Sequence, residues 1–178
     1  MKHIYLIVGP SGVGKTTVVE KMQHDYGYSV VSSFTDRPPR YEGETGHVFL
    51  TPEEFDKLPP LCAQTTFNNH RYGVTSEMVD QSDLYVIDVA GVQYLRTHYT
   101  GNKTPVVIGL MQNENVLLKR MIERGDSVEK AEERIKHDRH AFKNLKALAD
   151  TLIEATDLQV TVNSVREYIL FCEKYVAL

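Results

Sequence analysis

The sequence predicts an α/β protein of three layers, in which helices cover both faces of a parallel β-sheet. Short apolar runs alternate along the chain with segments of helical periodicity, a pattern typical of parallel sheets. A glycine-rich segment at residues 9–16 separates the first apolar run from the first helical segment. The length of 178 residues suits one domain.

Local pattern and capping residues predict the elements in order. The apolar or β-prone runs predict strands at residues 4–8, 28–33, 48–50, 63–67, 84–89, 104–111 and 151–154. Helical spacing predicts helices at residues 15–26, 51–55, 75–79, 91–99, 113–124 and 164–176, and one long charged helix from residue 127 to residue 148. Gly27 and Gly125 are predicted to end helices, Thr51 to cap one ahead of Pro52, and residues 68–71 to form a polar turn.

Composition excludes several classes of protein. With 42% hydrophobic and 25% charged residues, the chain is that of a globular protein. Its net charge of −4 argues against non-specific binding to nucleic acid or to an anionic membrane. Cys62 and Cys172 match no metal-ligand spacing and are predicted to be buried thiols. The first apolar run is too short for a signal peptide, so we expect a cytoplasmic protein, either a monomer or a homodimer.

Residues 9–16 form the pattern G-x-x-x-x-G-K-[ST], the P-loop of nucleotide-binding proteins. A strand precedes this motif and a helix follows it, which predicts a P-loop NTPase fold. Backbone N–H groups of such a loop converge on phosphate, Lys15 reaches the β- and γ-phosphates, and the Thr16 hydroxyl binds Mg²⁺. The predicted ATP-binding residues are Gly9, Pro10, Ser11, Gly12, Val13, Gly14, Lys15, Thr16 and Thr17.

Five further segments, in the same order along the chain, resemble the guanylate kinase family. They are residues 33–40 (SFTDRPPR), 43–46 (GETG), 72–73 (YG), 87–92 (IDVAGV) and 120–125 (RMIERG) followed by Arg134. The resemblance implies a single domain over residues 1–178. Within it, the core would comprise residues 1–33, 83–118 and 140–178, with an insert for the nucleoside monophosphate at 34–82 and a lid at 119–139.

The resemblance also implies the site residues. Arginine forks bind phosphate in a bidentate manner, and Pro38 and Pro39 would keep Arg37 and Arg40 on an extended loop. The residues expected to bind the acceptor are Ser33, Arg37, Arg40, Gln64, Tyr72, Thr75 and Asp88. Those expected to act in catalysis are Lys15, Arg37, Arg124 and Arg134. Thr16, and Asp88 through water, would hold the Mg²⁺ that accompanies ATP.

This sequence departs from the family where the family reads guanine. The family glutamate before the Tyr72-Gly73 turn is absent, since residues 61–66 contain no acid, and Val86 replaces the first acid of the family's strand end. The leading hypothesis is a kinase for GMP or dGMP that uses ATP and Mg²⁺. One alternative is a kinase for another (d)NMP, or a small-molecule kinase resembling ribose 1,5-bisphosphate kinases. Another is an inactive guanylate-kinase-like module that binds proteins.

Overall fold

The computed structural model describes residues 1–39, 41–67 and 69–175. Its strands are β1 (His3–Val8), β2 (Ser33–Thr35), β3 (His47–Phe49), β4 (Ala63–Phe67), β5 (His70–Val74), β6 (Leu84–Val86), β7 (Thr104–Met111) and β8 (Thr151–Glu154). Its helices are α1 (Lys15–Tyr26), α2 (Pro52–Phe55), α3 (Ser76–Asp80), α4 (Val89–His98), α5 (Glu114–Glu123), α6 (Val128–Ala141), α7 (Leu145–Leu148) and α8 (Leu158–Tyr175).

The main sheet has the strand order β6-β1-β7-β8, and all its pairings are parallel. Side chains of β1 alternate between two core clusters: Tyr5 and Ile7 belong to one, and Ile4, Leu6 and Val8 to the other. Residues of α1 and α8 complete the first cluster, and residues of α4 and α7 contribute to the second. Helices therefore cover both faces, and the predicted three-layer α/β fold is confirmed.

A second sheet is formed by residues 33–74, with the order β3-β2-β5-β4. It is mixed, because β2 pairs parallel to β3 and antiparallel to β5, and β4 with β5 forms an antiparallel hairpin. Most of this sheet falls in the predicted insert. Among the described residues, no helix combines the length and the apolar character needed to cross a lipid bilayer.

Several element boundaries match the sequence predictions. Helix α1 covers residues 15–26 and ends at Gly27, whose φ of 73° is left-handed. Strands β4, β7 and β8 have the predicted limits. Thr51 caps α2 in a reciprocal capping box with Glu54, and Pro52 is the first helical residue. Cys62 and Cys172 are buried free thiols, as predicted.

The predicted core strand at residues 28–33 is wrong. Only Val30 bridges to the main sheet, opposite Leu84, and the regular strand β2 begins at Ser33 in the second sheet. The Asp83 carboxylate accepts hydrogen bonds from the backbone N–H and the hydroxyl of Ser29, at 3.0 and 2.8 Å. This contact fixes the chain as it leaves the main sheet, and no local pattern reveals it.

The predicted polar turn at residues 68–71 is too long, because His70 and Arg71 already belong to β5. Asn69 makes the turn with a φ of 62°, and Asn68 lies outside the described residues. The polar strand is held by Arg71, whose Nε donates to Asp36 Oδ2 at 2.6 Å. The start of β5 lacks the apolar alternation by which strands are recognised in a sequence. An ion pair between residues far apart in the chain stabilises it instead.

The predicted long helix is divided into α6 and α7. Ala131 and Ile135 pack in the first core cluster, whereas Phe142, Leu145 and Leu148 pack in the second. The chain therefore turns after residue 141, because these two sets of side chains pack on opposite faces of the sheet.

The last helix, α8, begins at Leu158, ahead of the predicted residue 164. Asp157 Oδ1 accepts from the backbone N–H groups of Gln159 and Val160, at 2.8 and 3.1 Å, and so acts as the cap that sequence analysis missed. The predicted end of this helix, Val176, lies outside the described residues.

Candidate active site

The P-loop connects β1 to α1 and leaves the first turn of α1 open to an anion. Gly12 and Gly14 have φ values of 76° and 102°, a left-handed backbone that side chains disfavour. Gly14 is the N-cap and supplies no side-chain acceptor, and the first turn of α1 contains no acidic residue. The free N–H groups and the positive end of the helix dipole therefore form a site for phosphate.

Gly9 and Pro10 support the loop from behind. A Cβ on Gly9 would lie 2.5 Å from the carbonyl oxygen of Leu110 in β7, so only glycine allows this close approach. The carbonyl oxygens of Gly9 and Pro10 accept hydrogen bonds from Lys15 Nζ, at 2.6 and 3.0 Å. Neither residue lines the cavity beside the loop. The contacts of these two residues are thus to Lys15, to the sheet and, from Pro10, to the Val13 N–H within the loop.

The cavity beside the loop, here called the P-loop cavity, has a volume of about 520 Å³. The other seven predicted ATP-binding residues line it, together with three arginines of the predicted lid region and three residues near the start of α8. Its lining residues are Ser11, Gly12, Val13, Gly14, Lys15, Thr16, Thr17, Val18, Arg120, Arg124, Arg134, Thr156, Leu158 and Thr161. The structure thus gathers the predicted cations around the predicted phosphate site.

Arg124 and Arg134 converge on one carboxylate, that of Asp126. Arg124 Nη2 lies 2.7 Å and Arg134 Nη1 lies 3.4 Å from Asp126 Oδ2. The hydrogen bond from Arg124 holds the pKa of the Asp126 carboxyl below its usual range. Both arginine side chains are largely exposed, so these ion pairs are weak and can be exchanged for contacts to phosphate.

Arg120 has a different environment in the same cavity. It donates to the carbonyl oxygens of Val13, Ala155 and Thr156, at 3.3, 3.1 and 2.7 Å. These bonds tie the P-loop to the segment after β8. In the structure, Arg120 therefore has a structural role that connects two loops.

Burial is the main cause of the shift in the pKa of Lys15. It lowers the pKa of Lys15 from its usual value of 10.5 to about 8, although the carboxylates of Asp138 and Asp88 act in the opposite direction. Arg124 adds a smaller lowering effect. The free protein thus holds a lysine whose charge is sensitive to pH in a range that enzyme assays can reach.

This pKa predicts how activity depends on pH. Because the pKa is lowered, the ammonium is present below pH 8 and is lost as the pH rises through about 8. We therefore expect kcat/KM for ATP to fall about tenfold per pH unit in alkaline solution, since that ratio reports on the free enzyme. A series of initial rates across neutral and alkaline pH tests this. A ratio that stays level up to the ordinary lysine range would contradict the assignment.

A carboxylate of α6 contacts the phosphate-binding loop. Asp138 Oδ2 accepts a hydrogen bond from the backbone N–H of Ser11 at 2.6 Å. Asp138 follows Arg134 by one helical turn, so the two residues lie on the same face of α6. Sequence analysis missed Asp138. The spacing between Asp138 and Arg134 is a signal that could have indicated it.

Removal of this carboxylate is expected to strengthen ATP binding. An incoming phosphate must displace Asp138 from the Ser11 N–H, and Asp138→Ala makes this displacement unnecessary. We expect KM for ATP to fall about 3- to 10-fold, the magnitude of one hydrogen bond. Steady-state kinetics with varied ATP measure the effect. Glu132→Ala, which removes an exposed charge from the same helix, is the matched control. A rise in KM would mean that Asp138 supports bound ATP.

A second cavity, here called the hairpin cavity, lies between the β4–β5 hairpin and the end of β6, and its volume is about 160 Å³. Its lining residues are Ser33, His47, Ala63, Gln64, Thr65, Tyr72, Tyr85, Val86, Ile87, Asp88 and Gly91. Four predicted acceptor residues are among them, namely Ser33, Gln64, Tyr72 and Asp88. Thr75 is not: its hydroxyl caps α3 by accepting from Met78 N–H. Arg40 lies outside the described residues.

Arg37 is buried next to this cavity and is held by a carboxylate. Its Nη1 and Nη2 donate to the two oxygens of Glu44, at 3.1 and 2.8 Å, in a bidentate pair. Its Nε donates to the Tyr72 hydroxyl at 3.2 Å. Arg37 does not line the cavity itself, but through Tyr72 it contacts a residue that does.

Asp88 lies where the two cavities approach each other. It follows β6, caps α4 by accepting from Gly91 N–H at 2.6 Å, and lines the hairpin cavity. Its charge also acts on Lys15 in the P-loop cavity. Within the described ranges no group of three histidine, cysteine or acidic side chains forms a metal site. The oxygens of Thr16 and Asp88 suit Mg²⁺, which takes one or two protein ligands and the rest from phosphate and water.

Two further residues of the hairpin cavity were not expected to be there. His47 is half-buried, with Nδ1 2.9 Å from Ser33 Oγ and its ring edge-on to Tyr72. Tyr85 was assigned to a core strand with no role. Local polarity does not distinguish a cavity from a core, so sequence analysis had little signal for either residue.

The P-loop, its ring of arginines and the hairpin cavity beside it define a P-loop nucleotide-binding protein of the phosphotransferase type. A sequence model of the guanylate kinase family matches residues 1–171. The chain therefore belongs to the guanylate kinase family, which is a family of nucleoside monophosphate kinases.

Curated relatives and a solved structure agree with this assignment. The chain is 32% identical to a guanylate kinase of Neisseria gonorrhoeae over 88% of its length and 82% of that relative. It is 31% identical to one of Helicobacter pylori, over 88% and 81%, and 28% identical to one of Mycoplasmoides gallisepticum, over 94% and 91%. The crystal structure of guanylate kinase from Anaplasma phagocytophilum superimposes with a TM-score of 0.66 at 22% identity, over 97% of this chain and 86% of that one. This last likeness concerns the fold.

Proposed function

We propose that this protein transfers the terminal phosphoryl group of ATP, in the presence of Mg²⁺, to the phosphate of a nucleoside monophosphate. GMP and dGMP are the leading acceptors, since the similar curated proteins are named guanylate kinases. The observation that carries the proposal is the pair of cavities. Asp88 lines one of them, and its charge acts on Lys15, which lines the other.

The residues of the P-loop cavity would bind ATP and neutralise its charge. N–H groups of residues 11–17 would surround the β-phosphate, and Lys15 would turn from the carbonyl oxygens of Gly9 and Pro10 toward the transferred group. Arg124 and Arg134 would exchange Asp126 for the phosphates as the lid closes and excludes water. Thr16, and Asp88 through water, would hold Mg²⁺, which supplies further neutralisation of the phosphate oxygens.

The residues around the hairpin cavity would position the acceptor. Arg37, oriented by Glu44, and the Tyr72 hydroxyl would bind its phosphate, and Arg40 and Thr75 remain candidates on the strength of the sequence. Ser33, Gln64 and Asp88 would contact the base. No general base is needed, because the attacking oxygen is already that of an anionic phosphate. Catalysis would consist mostly of positioning two polyanions and screening their charge.

One feature of the cavity favours a second candidate function. Ala63 and Val86 add only apolar groups to the hairpin cavity, which leaves Asp88 as the one carboxylate among its described lining residues, and a site with few acceptors for the guanine N–H groups loses much of its discrimination. The acceptor would then be a small phosphorylated sugar such as ribose 1,5-bisphosphate. An inactive binding module is disfavoured, because Lys15 and Thr16 are both present and line the P-loop cavity.

The experiment that tests the proposal measures ADP release from Mg·ATP with each common NMP and dNMP, and with ribose 1,5-bisphosphate. We expect turnover with GMP and dGMP. Turnover with the sugar phosphate alone would show that the protein is a kinase whose acceptor is a phosphorylated sugar and not a nucleotide. ATP binding without turnover on any acceptor would contradict the proposed function.

A further inference from the structure

The Tyr85 side chain lies between the main sheet and the β4–β5 hairpin. Its neighbours in β6, Leu84 and Val86, pack in the first core cluster, so Tyr85 points to the opposite face of the sheet. There it packs against the second cluster, which includes Cys62 and Ala63, and lines the hairpin cavity. An aromatic residue of the main sheet is thus part of the lining of this cavity.

The Tyr85 hydroxyl is protonated and has no hydrogen-bond partner among the described residues. In those residues, the one polar side-chain atom that is both unpartnered and fully sealed is His3 Nε2. The unpartnered Tyr85 hydroxyl is therefore not fully sealed, and the residue that carries it lines the cavity. Burial, followed by the charges of Cys62 and Asp88, raises the pKa of Tyr85, which keeps the phenol neutral and able to donate.

Several other polar groups of the cavity are already engaged, whereas the side chains of Gln64 and Thr65 are exposed to solvent. Ser33 Oγ pairs with His47, and the Tyr72 hydroxyl accepts from Arg37. Asp88 Oδ1 accepts from the Gly91 N–H, and Ala63 presents only a methyl group. The phenol is consequently a donor that a ligand can satisfy. A polar group enclosed by a ligand without a partner costs binding free energy, so this donor also selects among ligands.

We propose that Tyr85 is a specificity-determining residue that donates its phenolic hydrogen to a ring carbonyl oxygen of the acceptor. This inference rests on the proposed function and deepens it. A 6-oxopurine such as guanine or hypoxanthine presents O6 as an acceptor, whereas adenine presents an amino donor at that position. The adenine base would leave the phenolic hydrogen unpaired. Tyr85 thus favours 6-oxopurines in a cavity where residues 63 and 86 supply no carboxylate.

The test compares Tyr85→Phe with the unmodified protein on GMP, IMP and AMP at saturating Mg·ATP. The variant keeps the ring and loses one hydroxyl, so the fold is preserved. We expect kcat/KM to fall about 3- to 10-fold for GMP and IMP, the magnitude of a neutral hydrogen bond. The value for AMP should stay level or rise, and KM for ATP should not change. Tyr28→Phe, which alters a buried tyrosine of the first cluster, is the matched control.

Two results would overturn the inference. Equal changes for all three nucleotides would show that the hydroxyl supports packing, and no change would show that it contacts no base. If the unmodified protein phosphorylates none of them, GMP is wrong as the proposed acceptor. Calorimetric titration with GMP, IMP and AMP then tests Tyr85 on its own. Binding of GMP and IMP that Tyr85→Phe selectively weakens would uphold the role of Tyr85, whereas its absence would refute it.

Discussion

Replacement of Lys15 by alanine is expected to lower kcat for phosphoryl transfer by about a hundred- to a thousandfold, the usual effect of removing a group that stabilises charge in the transition state. Lys15 is the P-loop lysine, lies in the P-loop cavity and carries an ammonium that burial has already stripped of much of its water. A charge in such surroundings interacts strongly with phosphate oxygens. ADP release with the best acceptor measures the loss.

Two controls distinguish this effect from damage to the fold. Lys21→Ala, on the same helix, removes a lysine that pairs with Asp25 and should leave kcat unchanged. The melting temperature of Lys15→Ala should not fall, because the substitution removes a charge that is costly to bury. The assigned role requires a loss of kcat of about a hundredfold or more. A Lys15→Ala protein that keeps more than about a tenth of the normal kcat would therefore refute it.

Replacement of Arg37 by alanine is expected to raise KM for the acceptor about a hundredfold, equivalent to about 2.7 kcal/mol, while KM for ATP stays level. Arg37 is bonded to Tyr72 at the hairpin cavity, and its guanidinium is the buried cation of that region. Initial rates with each substrate varied in turn separate the two constants. An equal rise in both would contradict a role confined to the acceptor.

The same substitution should reduce stability. The side chains of Arg37 and Glu44 are only 10% and 7% exposed, and the removal of Arg37 takes two hydrogen bonds away from a buried carboxylate, which is destabilising. Arg37→Lys keeps a charge beside Glu44 and loses the bidentate fork. It should fold and show an intermediate KM for the acceptor. Arg96→Ala, which removes an exposed arginine of α4, is the control.

The parts of the fold that sequence analysis predicted correctly are those with local causes. The apolar run of β1, the glycines of the loop and the cap at Thr51 are all specified within a few neighbouring residues. The strand predicted at residues 28–33 failed because the Ser29–Asp83 contact joins residues 54 positions apart. The break between α6 and α7 depends on which face of the sheet each apolar side chain reaches, and a linear pattern does not contain that information.

The residues of the candidate site that sequence analysis recognised are likewise those with a local sequence pattern. Lys15 and Thr16 are recognisable because the motif that contains them is contiguous. The contact of Asp138 with Ser11 spans 127 positions, so only the folded chain shows it. Arg37 was recognised from its motif, yet its partner Glu44 was not, because a short loop of glycine and proline residues allows many arrangements. From the sequence alone, Tyr85 cannot be distinguished from an aromatic residue of the core. Its position beside a cavity depends on the packing of the β4–β5 hairpin.

The contact between Asp138 and Ser11 has a consequence for which anions the protein retains. The loop of the free protein already holds an oxyanion of its own, and Lys15 is turned toward carbonyl oxygens. A lone inorganic phosphate would merely exchange one anion for another at this point. A nucleoside triphosphate, with its longer phosphate chain, can also bind Arg124 and Arg134 in the same cavity. The site should therefore select for a chain of several phosphates. Inorganic phosphate, although abundant in a cell, should compete poorly with ATP.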